Sequence, residues 1–132
     1  MNSVFIDTSA FYAVLSSTDK NHDRAVADWN ALLDDDVVRL CTSNYVVVET
    51  CALVRNRLGD DAMRSFLDSL LPLMMVIWVD QKAHASATAA MLAYGKNGPS
   101  LVDCASFVVM RDSAIIKALA YDRHFAEEDF TA

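Results

Sequence analysis

A chain of 132 residues with 54% hydrophobic residues and only 3 Gly and 2 Pro reads as one ordered domain, residues 1–132, without linkers. Its longest apolar run, Leu70 to Val79, is broken by Pro72 and is too short to span a membrane. The N-terminus lacks a basic segment followed by an apolar one, so a cytoplasmic protein is expected. The formal charge of −7 disfavours an electrostatic grip on nucleic acid, unless some of those acids are gathered to hold cations.

In chain order, Ser3 to Ile6 reads as a short buried strand. A helix from near Ser9 carries Phe11, Tyr12, Val14 and Leu15. After a polar loop, Ala25, Trp29, Leu32 and Leu33 mark a second helix that the Asp34–Asp35–Asp36 turn ends. Val37 to Cys41 is a second strand. A helix follows Ser43 and runs to Leu58, where Gly59 stops it. Asp60 to Leu71 reads as a further helix, Leu73 to Val79 as a third strand, and Gln81 to Tyr94 as an Ala-rich helix. A loop at 95–99 leads to Ser100, which caps a helix reaching Arg111; Ile115 to Tyr121 is a fourth strand. Strands alternating with helices predict a mostly parallel sheet with helices on both faces.

This order places four acids at one edge. Asp7 and Asp122 end buried strands, Glu49 lies in the second turn of a helix, and Asp103 in the first turn of another. Strand C-termini and the helix N-termini that follow them share an edge of a parallel sheet, where ligands bind. Singly, Asp7 and Asp122 are reasonable cap or turn residues, and Ser100-x-x-Asp103 is a capping-box pattern. Glu49, between Val46 and Leu53 on an apolar stripe, is harder to explain structurally. Gathered carboxylates repel one another unless a cation neutralises them, and an all-oxygen site favours Mg²⁺ or Mn²⁺. Such a site suits phosphodiester hydrolysis. Thr8 and Ser9 offer hydroxyls that orient a carboxylate or touch a phosphate.

The segments around these acids, Ile6–Asp7–Thr8–Ser9–Ala10, Ser43–Asn44–Tyr45–Val46–Val47–Val48–Glu49–Thr50, Ser100–Leu101–Val102–Asp103–Cys104–Ala105 and Ala120–Tyr121–Asp122–Arg123–His124–Phe125, resemble in order the four acidic motifs of PIN-domain nucleases. The likeness extends to VapC-like toxins of bacterial toxin–antitoxin pairs. It implies a three-layer α/β PIN fold with a sheet of four or five strands. It also implies Mg²⁺- or Mn²⁺-dependent endoribonuclease activity on an RNA substrate, a cognate antitoxin protein and a homodimer, with Asp7, Glu49, Asp103 and Asp122 as catalytic and metal-holding residues.

Among the basic residues, Arg24, Arg55, Arg57, Lys96, Arg111 and Arg123 are candidates for phosphate contact; Lys96, in a Gly-flanked loop before Asp103, is best placed by sequence. His22, His84 and His124 lack metal-ligand spacing, and Cys41, Cys51 and Cys104 show no zinc or disulfide pattern. A phosphatase with an Asp nucleophile would want a second Asp at position 9, where Ser stands. A receiver domain would want an Asp pair after the first strand, which offers only Asp7. A non-toxin RNA-processing nuclease, or a binding module on the same fold, are the remaining alternatives.

Overall fold

The computed structural model describes residues 2–130. Its centre is a sheet of four strands, β1 (Asn2–Ile6), β2 (Val38–Ser43), β3 (Met75–Ile77) and β4 (Lys117–Leu119), in the order β3-β2-β1-β4. Every pairing is parallel, with Val4 opposite Leu40 on one side and Lys117 on the other. β1 is central, and its Val4, Phe5 and Ile6 are buried as a continuous apolar run, as a strand covered on both faces requires.

The helices are α1 (Thr8–Leu15), α2 (His22–Leu33), α3 (Asn44–Leu58), α4 (Asp60–Ser65), α5 (Gln81–Tyr94), α6 (Leu101–Asp112) and α7 (Arg123–Glu127). The chain steps from β1 to β2 to β3 in one direction, then returns across the sheet to β4. Right-handed crossovers therefore put α1 to α4 on one face and α5 and α6 on the other, giving three layers. On the first face Phe11 meets Trp29 and Phe66 edge-on, at centroid distances of 6.0 and 4.9 Å. On the second, Phe107 packs on Phe125 and Phe130 at 5.0 and 5.6 Å. Burying each such ring contributes about 1.5–3 kcal/mol. α3 ends at Gly59, whose φ of 97° is readily reached only without a Cβ.

The expected helix over Asp60 to Leu71 is α-helical only to Ser65. It continues as a π turn (Phe66–Leu70) and a 3₁₀ turn (Leu71–Leu73). Pro72 is the cause: it has no N–H to give, and its ring crowds the carbonyl four residues back. That irregular exit takes up Leu73, so β3 is shorter than the expected Leu73–Val79. β4 likewise occupies only the middle of Ile115–Tyr121. Past Asp122 the chain forms α7, so the described residues contain four strands and no fifth. Among the described residues no helix is long and apolar enough to cross a membrane, and all three cysteines are free thiols.

Candidate active site

Asp7 follows directly on β1. Its N–H donates to the Leu119 carbonyl at 3.1 Å, which carries the β1–β4 pairing one residue further and draws the ends of both strands together. Asp7 is the N-cap of α1: its Oδ2 accepts from the Ser9 N–H (3.2 Å) and hydroxyl (2.7 Å). Asp122 is the N-cap of α7, with Oδ1 accepting from the His124 N–H at 2.9 Å. Asp103 completes the capping box of α6. Ser100 Oγ accepts from the Asp103 N–H at 3.1 Å, and Asp103 Oδ2 accepts from the Ser100 N–H at 3.2 Å. The capping roles read from the sequence are real, yet they coexist with a second arrangement. One oxygen from each of Asp7, Asp103 and Asp122 lies within 4.8 Å of the others. Three helix N-termini thus aim their partial positive charge at one cluster of carboxylates.

Glu49 stands slightly apart. The buried stripe of α3 is Val46, Thr50 and Val54, one helical turn apart, and the half-buried Glu49 occupies the neighbouring stripe with Leu53 and Arg57. Glu49 is therefore beside the apolar stripe on which the sequence placed it. It lines the same cleft as the three aspartates, and its charge is felt at Asp103. The cleft, about 450 Å³, also meets Thr8, Ser9, Tyr12, Asp19, Asn21, Ser100 and Tyr121.

Burial lifts the Asp7 carboxyl from its ordinary 3.8 to about 7, with the charges of Asp103 and then Asp122 adding to the rise, while the Ser9 hydrogen bonds oppose it. Asp103 is pushed up to about 6, first by burial and then by Asp122 and, more weakly, Glu49; bonds from Ser100 oppose the rise. Asp7 Oδ1 is buried with no hydrogen-bond partner. An orphaned carboxylate oxygen, two further carboxylates within 4.8 Å and hard oxygen donors throughout fit a divalent cation.

The other sequence candidates separate. The Thr8 hydroxyl is bonded to that of Thr50 (3.0 Å), though Thr8 also lines the cleft. The Ser9 hydroxyl orients Asp7 and accepts from the Tyr121 N–H at 3.0 Å, so it ties the β4 end to the α1 start. Lys96 is exposed in the α5–α6 loop and does not line the cleft. Arg57, another of the phosphate-contact candidates, is the one cation among the described lining residues. The signal in the sequence that favours Arg57 is its spacing: eight residues after Glu49, it lies close to the same helical face. Tyr12 and Asn21 were not singled out. Asp80 caps α5 through the Ala83 N–H, and His22 Nδ1 meets the Ala13 carbonyl at 2.7 Å, so both serve the fold.

An α/β fold with strand-end carboxylates gathered over helix N-termini defines an acidic, cation-seeking site of the kind that works on phosphoesters. Residues 4–130 match the PIN domain family, and the chain belongs to it. It is 30% identical over 128 residues, 96% of its length and 95% of the relative's, to the 23S rRNA-specific endonuclease VapC20 of Mycobacterium tuberculosis. The crystal structure of that VapC20, described as a sarcin–ricin loop cleaving toxin, superimposes with a TM-score of 0.86 at 28% identity, covering 97% of this chain and 96% of the other. The VapBC2 structure from Rickettsia felis shares the fold at 13% identity, with a TM-score of 0.69 and coverage of 98% and 95%.

Proposed function

We propose that this protein is a metal-dependent endoribonuclease and the toxic member of a toxin–antitoxin pair. The observation that carries the reading is the convergence of Asp7, Asp103 and Asp122, with Asp7 Oδ1 left unpartnered inside it. The full-length similarity to a relative named as a 23S rRNA-specific endonuclease supports RNA as the substrate and ribosomal RNA as the first one to try.

Asp7, Asp103 and Asp122 would hold Mg²⁺ or Mn²⁺, with Glu49 at the border of the set. A divalent ion so held supplies an acidic centre that polarises phosphate oxygen and water. The protein's own part is positional. Ser9 and Ser100 fix the rotamers of Asp7 and Asp103, the helix N-termini stabilise the ionised carboxylates, and the deep seat of Asp7 limits water. Glu49, half-exposed on the cleft wall, is placed to orient a water or take its proton.

The same acidic cleft suits an Arg or Lys side chain from an inhibitory protein, whose guanidinium or ammonium would occupy the cation's place. A cytoplasmic homodimer restrained by a cognate antitoxin follows from the toxin reading. The test is incubation of the purified chain with ribosomal RNA, with Mg²⁺ or Mn²⁺ and with EDTA, alongside induced expression with and without the neighbouring gene. Metal-dependent cuts and growth arrest relieved by the neighbour support the proposal. Cleavage undiminished in EDTA defeats the enzyme assignment, and harmless expression of an active nuclease defeats the toxin assignment.

A further inference from the structure

The cleft is bipolar. The aspartates line it, α3 runs along it from Glu49 through Leu53 to Arg57 beside Tyr12, and Asn21 is a further lining residue. Eight residues of α-helix place the Arg57 backbone about 12 Å from that of Glu49. The Arg57 guanidinium lies over the Tyr12 ring, 5.7 Å from its centroid, and no carboxylate is within 4.0 Å of it among the described residues. This contrasts with Arg24, Arg55, Arg64, Arg111 and Arg123, each paired with an acid. Asp19, a further acid lining the cleft, has its Oδ2 engaged by the Asn21 N–H at 2.9 Å.

A chain with a net charge of −7 and an acidic cleft needs a fixed positive charge to hold a polyanion in register. A stacked, unpaired guanidinium is the side chain best suited to bidentate phosphate binding. Resting on the ribonuclease reading above, we infer that Arg57, seated on Tyr12, binds a backbone phosphate of the RNA flanking the one that is cut. Arg57 is a substrate-positioning residue: the helix length between it and Glu49 puts it beyond the scissile group.

The experiment measures RNA affinity against salt concentration in an Asp103→Asn background that does not cut, and steady-state cleavage in the wild-type background. Arg57→Ala should weaken binding roughly tenfold, the worth of one charge-assisted phosphate contact. It should also flatten the slope of log affinity against log salt by about 0.7, one phosphate's share on a single strand. In cleavage, KM should rise by more than kcat falls. Arg57→Lys should keep the salt slope and recover part of the affinity. Lys117→Ala, which removes an exposed charge at the opposite sheet edge, should leave the slope unchanged. Equal affinity and slope for Arg57→Ala and the parent, with cleavage intact, overturns the phosphate subsite alone. The same result with weakened antitoxin inhibition overturns it in favour of a protein-docking role. A wild-type chain that neither binds nor cuts RNA with metal overturns both this inference and the ribonuclease reading.

Discussion

Thr8 and Thr50 share a buried hydroxyl–hydroxyl hydrogen bond of 3.0 Å across 42 residues of sequence. Each follows an acid of the site, Asp7 and Glu49, so the bond fixes the start of α1 against the middle of α3 and sets where Glu49 stands relative to the aspartates. Replacing one partner leaves the other hydroxyl buried and unpaired, which costs about 1–3 kcal/mol. Thr50→Val and Thr8→Val should each lower the denaturation midpoint, and the double variant should lose less than the sum of the two. Strict additivity in that cycle would show that the bond does not join the two helices.

Asp7 and Asp103 carry folded-state values of about 7 and about 6, above the ordinary 3.8. The folded chain therefore holds more protons than the unfolded one between about pH 4 and pH 7, so without metal these two groups make stability fall as pH rises through that window. A divalent cation binds the deprotonated carboxylates, so its stabilising effect should grow as pH rises through the same range. Thermal melts in EDTA and in Mg²⁺ or Mn²⁺ across that range test both slopes. A metal-induced shift that is equal at both ends of the range would mean that the ion binds elsewhere.

Asp7→Asn separates the two roles of the site. The amide removes a charge whose burial is unfavourable, and its oxygen still accepts from Ser9, so the variant should melt higher than the wild type in EDTA near neutral pH. It should lose most RNA cleavage and most of the metal-induced stabilisation. Asp103→Asn should behave similarly, and Glu49→Gln should lose cleavage with a smaller change in the apo melting temperature, since Glu49 is only half-buried. An Asp7→Asn protein that still cuts RNA at the wild-type rate would remove Asp7 from the machinery.

The fold and the acids were legible because both follow from local pattern. The apolar run Val4–Phe5–Ile6, the caps Ser43 and Ser100, and the stops Gly59 and Gly95 are marked by residue type alone. The strand-end rule then brings Asp7, Asp103 and Asp122 to one edge whatever the details of packing. Which of Lys96 and Arg57 lines the cleft is not legible in the sequence, because it depends on which way a loop and a helix face are turned, a tertiary fact. Sequence proximity to Asp103 favoured Lys96, whereas α3 lies along the cleft and carries Arg57 into it. The π turn before β3 likewise arises where a helix must accommodate Pro72.

The chemistry of the cut ends is the last expectation. A ribonuclease that uses the RNA's own 2′-hydroxyl as nucleophile needs an acid–base pair, commonly His, to move its proton and that of the leaving oxygen, and leaves a cyclic phosphate. No histidine is among the described residues lining this cleft. His22 is tied to the Ala13 carbonyl, His84 bonds the Tyr45 hydroxyl, and His124 sits behind Asp122 near Glu127. The carboxylates that do line it suit attack by water, with Glu49 and Asp122 more accessible than the buried Asp7 and Asp103. In-line attack by water with departure of the 3′-oxygen gives a 5′-phosphate and a 3′-hydroxyl. Replacing the 2′-hydroxyl at the cut position by hydrogen should then spare kcat, with any loss appearing in KM, because RNA recognition often reads that group. Mapping the termini of an end-labelled RNA cut in Mg²⁺ or Mn²⁺ decides the matter: 2′,3′-cyclic phosphate ends, or a deoxy substitution that abolishes turnover, would mean that the gathered carboxylates do not drive the cleavage.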